Sequence, residues 1–207
     1  MVLPKLHVVY SPVYDMVVQE WRSGITRYNA AKFQRIGKRI FGRENLRRKR
    51  EYALKLDKDF GRISGRVFHT LERVSGLRWK ERSIICYVIE SDQSLDDPMT
   101  LQISNDLETD RKTMIHELGH RLISQNFNRL DWDGFVKTFK GESQTTISHI
   151  LLHAVLKLTY QGLFGAKVTK RYIESYHGFS DYMRAWRIVE EYGAERLIDD
   201  FIKTKQE

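Results

Sequence analysis

Five residues, His116-Glu117-Leu118-Gly119-His120, constrain this chain more than any other stretch. They read H-E-x-x-H. Residues three and four apart share one face of a helix, so a helix here stacks the two imidazoles one turn apart, where they can grip one metal ion. Two neutral imidazoles at that spacing suit Zn²⁺. Glu117, one step round from the first ligand, is placed to take a proton from a water that the ion activates. A third ligand then has to come from elsewhere in the chain.

The flanking sequence supports a helix. Asn105 to Glu108 has the form of a capping box, so the spacing predicts a helix from there to about Asn126. Arg111, Met114, Ile115, Leu118 and Leu122 fall on one side of it, and His116, Glu117 and His120 project from the other. Gly119 costs about 1 kcal/mol relative to Ala in a helix interior, a cost that makes sense where another segment packs closely. The next long periodic stretch, about Thr145 to Tyr160, carries an apolar stripe of Ile147, Ile150, Leu151, Ala154, Val155 and Leu158. Opposite the stripe lie His149 and His153, again four apart. Four of the seven histidines therefore sit in two helical pairs. One of His149 and His153 is expected as the third ligand, with the other supporting it. Glu142, just ahead of that helix, is a further candidate.

The remaining elements read as scaffold. Leu6 to Tyr10 is a short strand, Val13 to Trp21 a helix closed near Gly24, and Phe60 to Val74 a second helix with one apolar stripe, in which His69 is structural. Ile84 to Ile89 reads as a strand buried on both faces, with Cys86 a buried thiol. Met99 to Ser104 alternates apolar and polar residues, the pattern of a strand with one wet face, often an edge strand able to pair with an extended peptide. After a loop with a short element near Phe135 to Phe139, Lys170 to Tyr176 is a short helix, and a last amphipathic helix runs from about Asp181 into the C-terminal tail.

Charge is concentrated in one place. Of 35 basic residues, nine lie between Lys32 and Arg50, with Glu44 the lone acid, while the rest of the chain holds 26 of each sign. Phe33, Ile36 and Ile40 recur there at helical spacing. This predicts a basic amphipathic segment over about 26–50 that faces solvent or holds phosphate, either nucleic acid or an acidic membrane surface. At 207 residues one domain, 1–207, is expected. One cysteine excludes an internal disulfide and fits a reducing, cytoplasmic setting. No signal peptide and no transmembrane stretch are expected.

A buried strand, an alternating strand, a capped H-E-x-x-H helix and a second helix with polar inward residues together resemble a zincin metallopeptidase over about Ile84 to Tyr160. That resemblance implies an α+β fold: a small mixed sheet with an edge strand over the active-site helix, backed by several long helices. It implies His116 and His120 as zinc ligands and Glu117 as the base. In gluzincins a Glu on the following helix completes the site; here His149 or His153 stands in that region. The longer metzincin pattern fails, because Ile123 and Asn126 occupy its Gly and third His positions. The implied activity is zinc-dependent hydrolysis of peptide bonds in a peptide or protein substrate. A donor for the tetrahedral intermediate is sought among His177, Tyr176 and Tyr160. The alternative is a non-catalytic zincin-fold zinc protein that binds nucleic acid through the basic 32–50 helix.

Overall fold

The computed structural model describes residues 3–22, 30–90 and 94–202, with the side chains of residues 20, 22 and 30–33 also outside the described set. In chain order the elements are β1 (Lys5–Tyr10), α1 (Pro12–Arg22), α2 (Ala30–Phe41), α3 (Arg43–Gly61), α4 (Ser64–Ser75), β2 (Ser83–Ile89), β3 (Leu95–Asp96), β4 (Met99–Gln102), α5 (Leu107–Gln125), α6 (Trp132–Thr138), α7 (Gln144–Phe164), α8 (Ala166–Glu174), α9 (Ser180–Tyr192) and α10 (Ala194–Phe201). The architecture is thus α+β, with a small mixed sheet. The chain divides into two compact units, one of residues 4–64 and 81–117, the other of 65–80 and 118 onward. Helix α5 begins in the first and ends in the second.

The first unit is built on the sheet, whose strand order is β1-β2-β4-β3. β1 and β2 run parallel with Val8 opposite Cys86, and β2 and β4 run parallel with Val88 opposite Leu101. Parallel neighbours need a long crossover, and α1 to α4 supply it between β1 and β2. α3 lies along β1, where the Val8 amide donates to Asp57 Oδ1 at 2.8 Å. Cys86 is fully buried in β2, and burial pushes its thiol pKa up.

Three expectations change here. β4 is not an edge strand: β3, only two residues long, pairs antiparallel with Met99 and Thr100, and Met99, Thr100 and Leu101 are all buried. β2 is not covered on both faces, since Ile85 is 47% exposed. The basic segment is two helices, α2 and α3, parted at Gly42, and Lys49 within it is buried. α3 also takes Phe60, which the periodicity assigns to the next helix. Residues 26–29 of the expected basic segment, the Gly24 stop and the Lys32 side chain lie outside the described residues.

The second unit is helical and centres on α7. Every residue from Ile150 to Leu156 is buried, so this is a core helix covered on all sides, not an amphipathic one with a single apolar stripe. α6, α8, α9 and α10 belong to the same unit, and α8, α9 and α10 pack on α7. The expected last helix breaks in two at Gly193, whose φ of 95° is open to glycine and strained for other residues. Gly162 sits inside α7, and Gly165, with φ 79°, ends it. Among the described residues no helix is long and apolar enough to cross a membrane.

Candidate metal centre

α5 is anchored at its start by carboxylates. Asp106 Oδ2 accepts from the Thr109 amide at 3.0 Å and from the Thr109 hydroxyl at 2.6 Å, and these bonds hold its carboxyl below the usual range. The cap is therefore one residue later than the Asn105 box; Asn105 itself adopts φ 64°. One turn on, buried Asp110 accepts from the Tyr52 hydroxyl and from the Ser104 amide at 3.1 Å. Arg111 pairs with Asp59 at 3.1 Å. At the other end, Asn126 Nδ2 donates to the carbonyls of Leu122 at 2.8 Å and Arg78 at 2.9 Å, closing the helix.

Gly119 sets how near α7 comes to α5. A Cβ at this position would lie 2.7 Å from Leu152 Cδ1 and 3.3 Å from Leu156 Cδ2. Only a bare backbone leaves room for those leucines. α7 itself starts on a side-chain cap, with Ser143 Oγ accepting from the Thr146 amide at 3.0 Å. Six residues on from that cap, His149 faces His120.

The ligand atoms of His116, His120 and His149 all lie within 4.8 Å of one another. His116 and His120 are one turn apart on the continuous α5, and His149 comes from α7 beside His120. The Nε2 atoms of His120 and His149 are 3.4 Å apart. Two nitrogens bound to one tetrahedral Zn²⁺ at about 2.0–2.1 Å would stand about 3.4 Å apart, so this spacing fits the ion. The tautomer fits as well. His149 Nδ1 donates to the Thr145 carbonyl at 2.7 Å, an assignment that the acceptor alone dictates. Nε2 then presents its lone pair towards His120, and a backbone carbonyl behind a ligating imidazole is the usual outer support of a metal site. Burial also lowers the pKa of His149, keeping the ring in its neutral, ligating form. Three neutral imidazoles suit Zn²⁺ and neighbouring divalent transition ions far better than Mg²⁺ or Ca²⁺.

Glu117 is 8% exposed. Burial, and then the negative charge of Asp96, push its carboxyl up to about 8. A carboxyl this reluctant to ionise holds a proton near neutral pH, and a cation beside it would draw the value back down.

The other sequence candidates occupy different positions. His153 is fully buried one turn beyond His149, its ring stacked on Trp186 at 4.1 Å and 10°. Burial, reinforced by His149 and His120, drives its pKa well below the ordinary value. Its ring centre is 5.4 Å from that of His149, and it is not one of the three converging histidines. Glu142 is clasped by Arg184, with Oε1 2.6 Å from Nη2 and both oxygens 3.1 Å from Nε. His177 is exposed in the turn after α8, and Tyr160 is buried in a stack on Tyr172 at 3.9 Å. His69 is exposed on α4.

One neighbour carries no sequence signal. Tyr182, on α9, lies with its ring 4.1 Å from that of His149, and Tyr176 stacks on it at 5.3 Å and 17°. Nothing in the spacing of α9 marks Tyr182, because its partners come from other helices. No known protein family, curated protein or solved structure matches this chain.

Proposed function

We propose that this chain is a zinc-dependent hydrolase of peptide bonds, with a zincin-like arrangement of helix and ligands. The observation that carries the reading is the convergence of His116, His120 and His149 next to a buried Glu117. Three imidazoles rather than four favour a catalytic over a closed structural site, because one position of a tetrahedral ion is left for solvent. His149 takes the place that a Glu holds in gluzincins.

A Zn²⁺ ion held by these three rings supplies a Lewis acid and brings the pKa of a water near 7. The protein's own groups do the rest. Thr145 holds the His149 ring in one orientation and one tautomer. Glu117 accepts the proton of the attacking water and delivers it to the departing amine. A cation held by the three histidines would draw the raised Glu117 carboxyl back towards its ionised form, the form that can take that proton. Tyr182 and Tyr176 wall the His149 side of the site against bulk water. Because β3 covers β4, an extended substrate that adds to the sheet on this side would pair with β3.

The test combines elemental analysis with a peptide-cleavage assay. Wild type is expected to hold one zinc per chain and to cleave peptides; His149→Ala is expected to lose the zinc, and Glu117→Gln to keep it and lose cleavage. A Glu117→Gln variant that cleaves at the wild-type rate, or a wild-type chain that binds no zinc, overturns the proposal.

A further inference from the structure

α3 has an outer face that neither the core nor the metal centre uses. Its inner face is buried, with Lys49, Ala53, Leu56 and Phe60 turned inward. Its outer face shows six exposed cations, Arg43, Arg47, Arg48, Arg50, Lys55 and Lys58, against two exposed acids, Glu44 and Glu51. Arg43, Arg47, Arg50, Leu54 and Lys58 succeed one another at steps of three or four residues, so they form one row along a single helix. At 1.5 Å per residue the row is about 22 Å long.

The acids beside this row do not cancel it. Glu51 lies 3.4 Å from Arg47, but both side chains are mostly exposed, and such a pair is worth less than about 1 kcal/mol. Arg47 can therefore exchange Glu51 for a stronger anion. Glu44 lies about 100° round the helix from Arg43. Asp57, on the opposite border, accepts from the Val8 amide. Arg48 points off the row and meets Glu90 at 3.1 Å.

We infer that the row Arg43, Arg47, Arg50 and Lys58 is a docking surface for duplex DNA, gripped by its phosphate backbone without regard to sequence. Charge complementarity carries the choice of partner. A duplex presents one negative charge per about 1.7 Å of axis, so every cation of a straight row this long meets a phosphate. Three of the four cations are arginines, whose fork matches two phosphate oxygens at once. The major groove of B-form DNA, about 12 Å wide, also admits an α-helix, whereas that of duplex RNA is too deep and narrow. Single strands are held on aromatic platforms, and no aromatic residue is exposed on α3. A helix that lies on a bilayer needs an apolar face, and Leu54 is the row's lone apolar member.

The full-length chain should bind labelled DNA duplexes of unrelated sequence alike, as read by fluorescence anisotropy. Four phosphate contacts give a slope of log affinity against log salt of about −3.6. Arg43→Gln with Arg47→Gln and Lys58→Gln should weaken binding by roughly tenfold or more and flatten that slope by about 2.7, with circular dichroism unchanged. Lys167→Gln with Lys170→Gln and Arg171→Gln removes as much charge from exposed positions on α8 and should bind like wild type. Glu51→Gln removes no cation and should tighten binding roughly twofold, a test that stands even if the triple α3 variant fails to fold. The inference is overturned if wild type binds no duplex DNA at low salt, or if the folded α3 variant binds like wild type. It is equally overturned if the α8 variant weakens as much, if Glu51→Gln changes nothing, or if single strands, duplex RNA, anionic vesicles or polyglutamate bind as tightly as the DNA duplex.

Discussion

Lys49 and His149 are both buried on helices, and the groups around them differ in kind. Lys49 Nζ is 2.9 Å from Asp15 Oδ2 and 3.1 Å from Glu90 Oε2, and it donates to the Tyr10 hydroxyl at 3.2 Å. Asp15 in turn accepts from Tyr10, Gln19 Nε2 and the Glu90 amide as well as from Lys49. Arg48 also lies 3.1 Å from Glu90, so two cations meet two carboxylates and nothing from outside is called for. Burial, then the Asp15 carboxylate, push the Tyr10 hydroxyl pKa up, so that it stays a donor. Around His149 the grouping is of like with like: imidazole nitrogens of three residues within 4.8 Å of one another, which would repel one another as cations. Such a cluster becomes favourable when a cation sits among it. A self-neutralising buried cluster is scaffold; a cluster of one donor type is a candidate for holding an ion.

That contrast can be broken at either end. The largest effect expected is on chemistry: Glu117→Gln should reduce peptide hydrolysis by about 10²–10⁴-fold with zinc content unchanged, read by kinetics beside elemental analysis. Next is Lys49→Met, which strands buried Asp15 while Glu90 keeps Arg48 at 3.1 Å, and which should destabilise the chain by about 3–5 kcal/mol in urea unfolding, again with zinc content unchanged. If Lys49→Met were neutral, the closed-cluster account would fail. Zinc in hundredfold excess over its dissociation constant should stabilise wild type by about 2.7 kcal/mol and leave the His149→Ala variant unmoved, as read by the melting temperature. Gly119→Val forces a branched side chain against Leu152 and Leu156. It should cost about 1–3 kcal/mol and weaken zinc binding, because α7 carries His149 away from His120.

The smallest effect concerns Glu142, the acid that sequence alone left open as a ligand. Its carboxyl is held below the usual range by its hydrogen bonds to Arg184. A depressed carboxylate contributes stability above its unfolded pKa and loses it as pH falls through the folded value. Wild type should therefore lose slightly more stability than Glu142→Gln between about pH 5 and pH 3. Titrating zinc into Glu142→Gln should give the wild-type affinity; a drop would return Glu142 to the ligand set.

Much of α5 and α7 is legible in the sequence because helical periodicity is a local property. The spacing of His116 and His120 needs only 3.6 residues per turn, and the helix around them starts and stops within a few residues of the expected points. Other features fail for equally physical reasons. Lys49 looks like one more member of a solvated basic run, and only the arrival of Asp15 and Glu90 from distant segments makes its burial tolerable. β3 is too short to show a period, so nothing in the sequence warns that β4 has a neighbour on each side. The α7 sequence has the pattern of an amphipathic helix because His149 and His153 break the apolar run, yet both histidines are buried.

Sequence alone determined that two imidazoles and a carboxyl share one helix, since their relation is set by covalent spacing and the turn of an α-helix. It could not choose between His149 and His153, which lie on the same face one turn apart. That choice belonged to the tertiary structure. Gly119 lets α7 approach α5, Thr145 turns the His149 ring towards His120, and Trp186 stacks on His153 instead. Contacts between segments far apart in the chain leave no periodic trace, so only the packed structure could say which histidine completes the set.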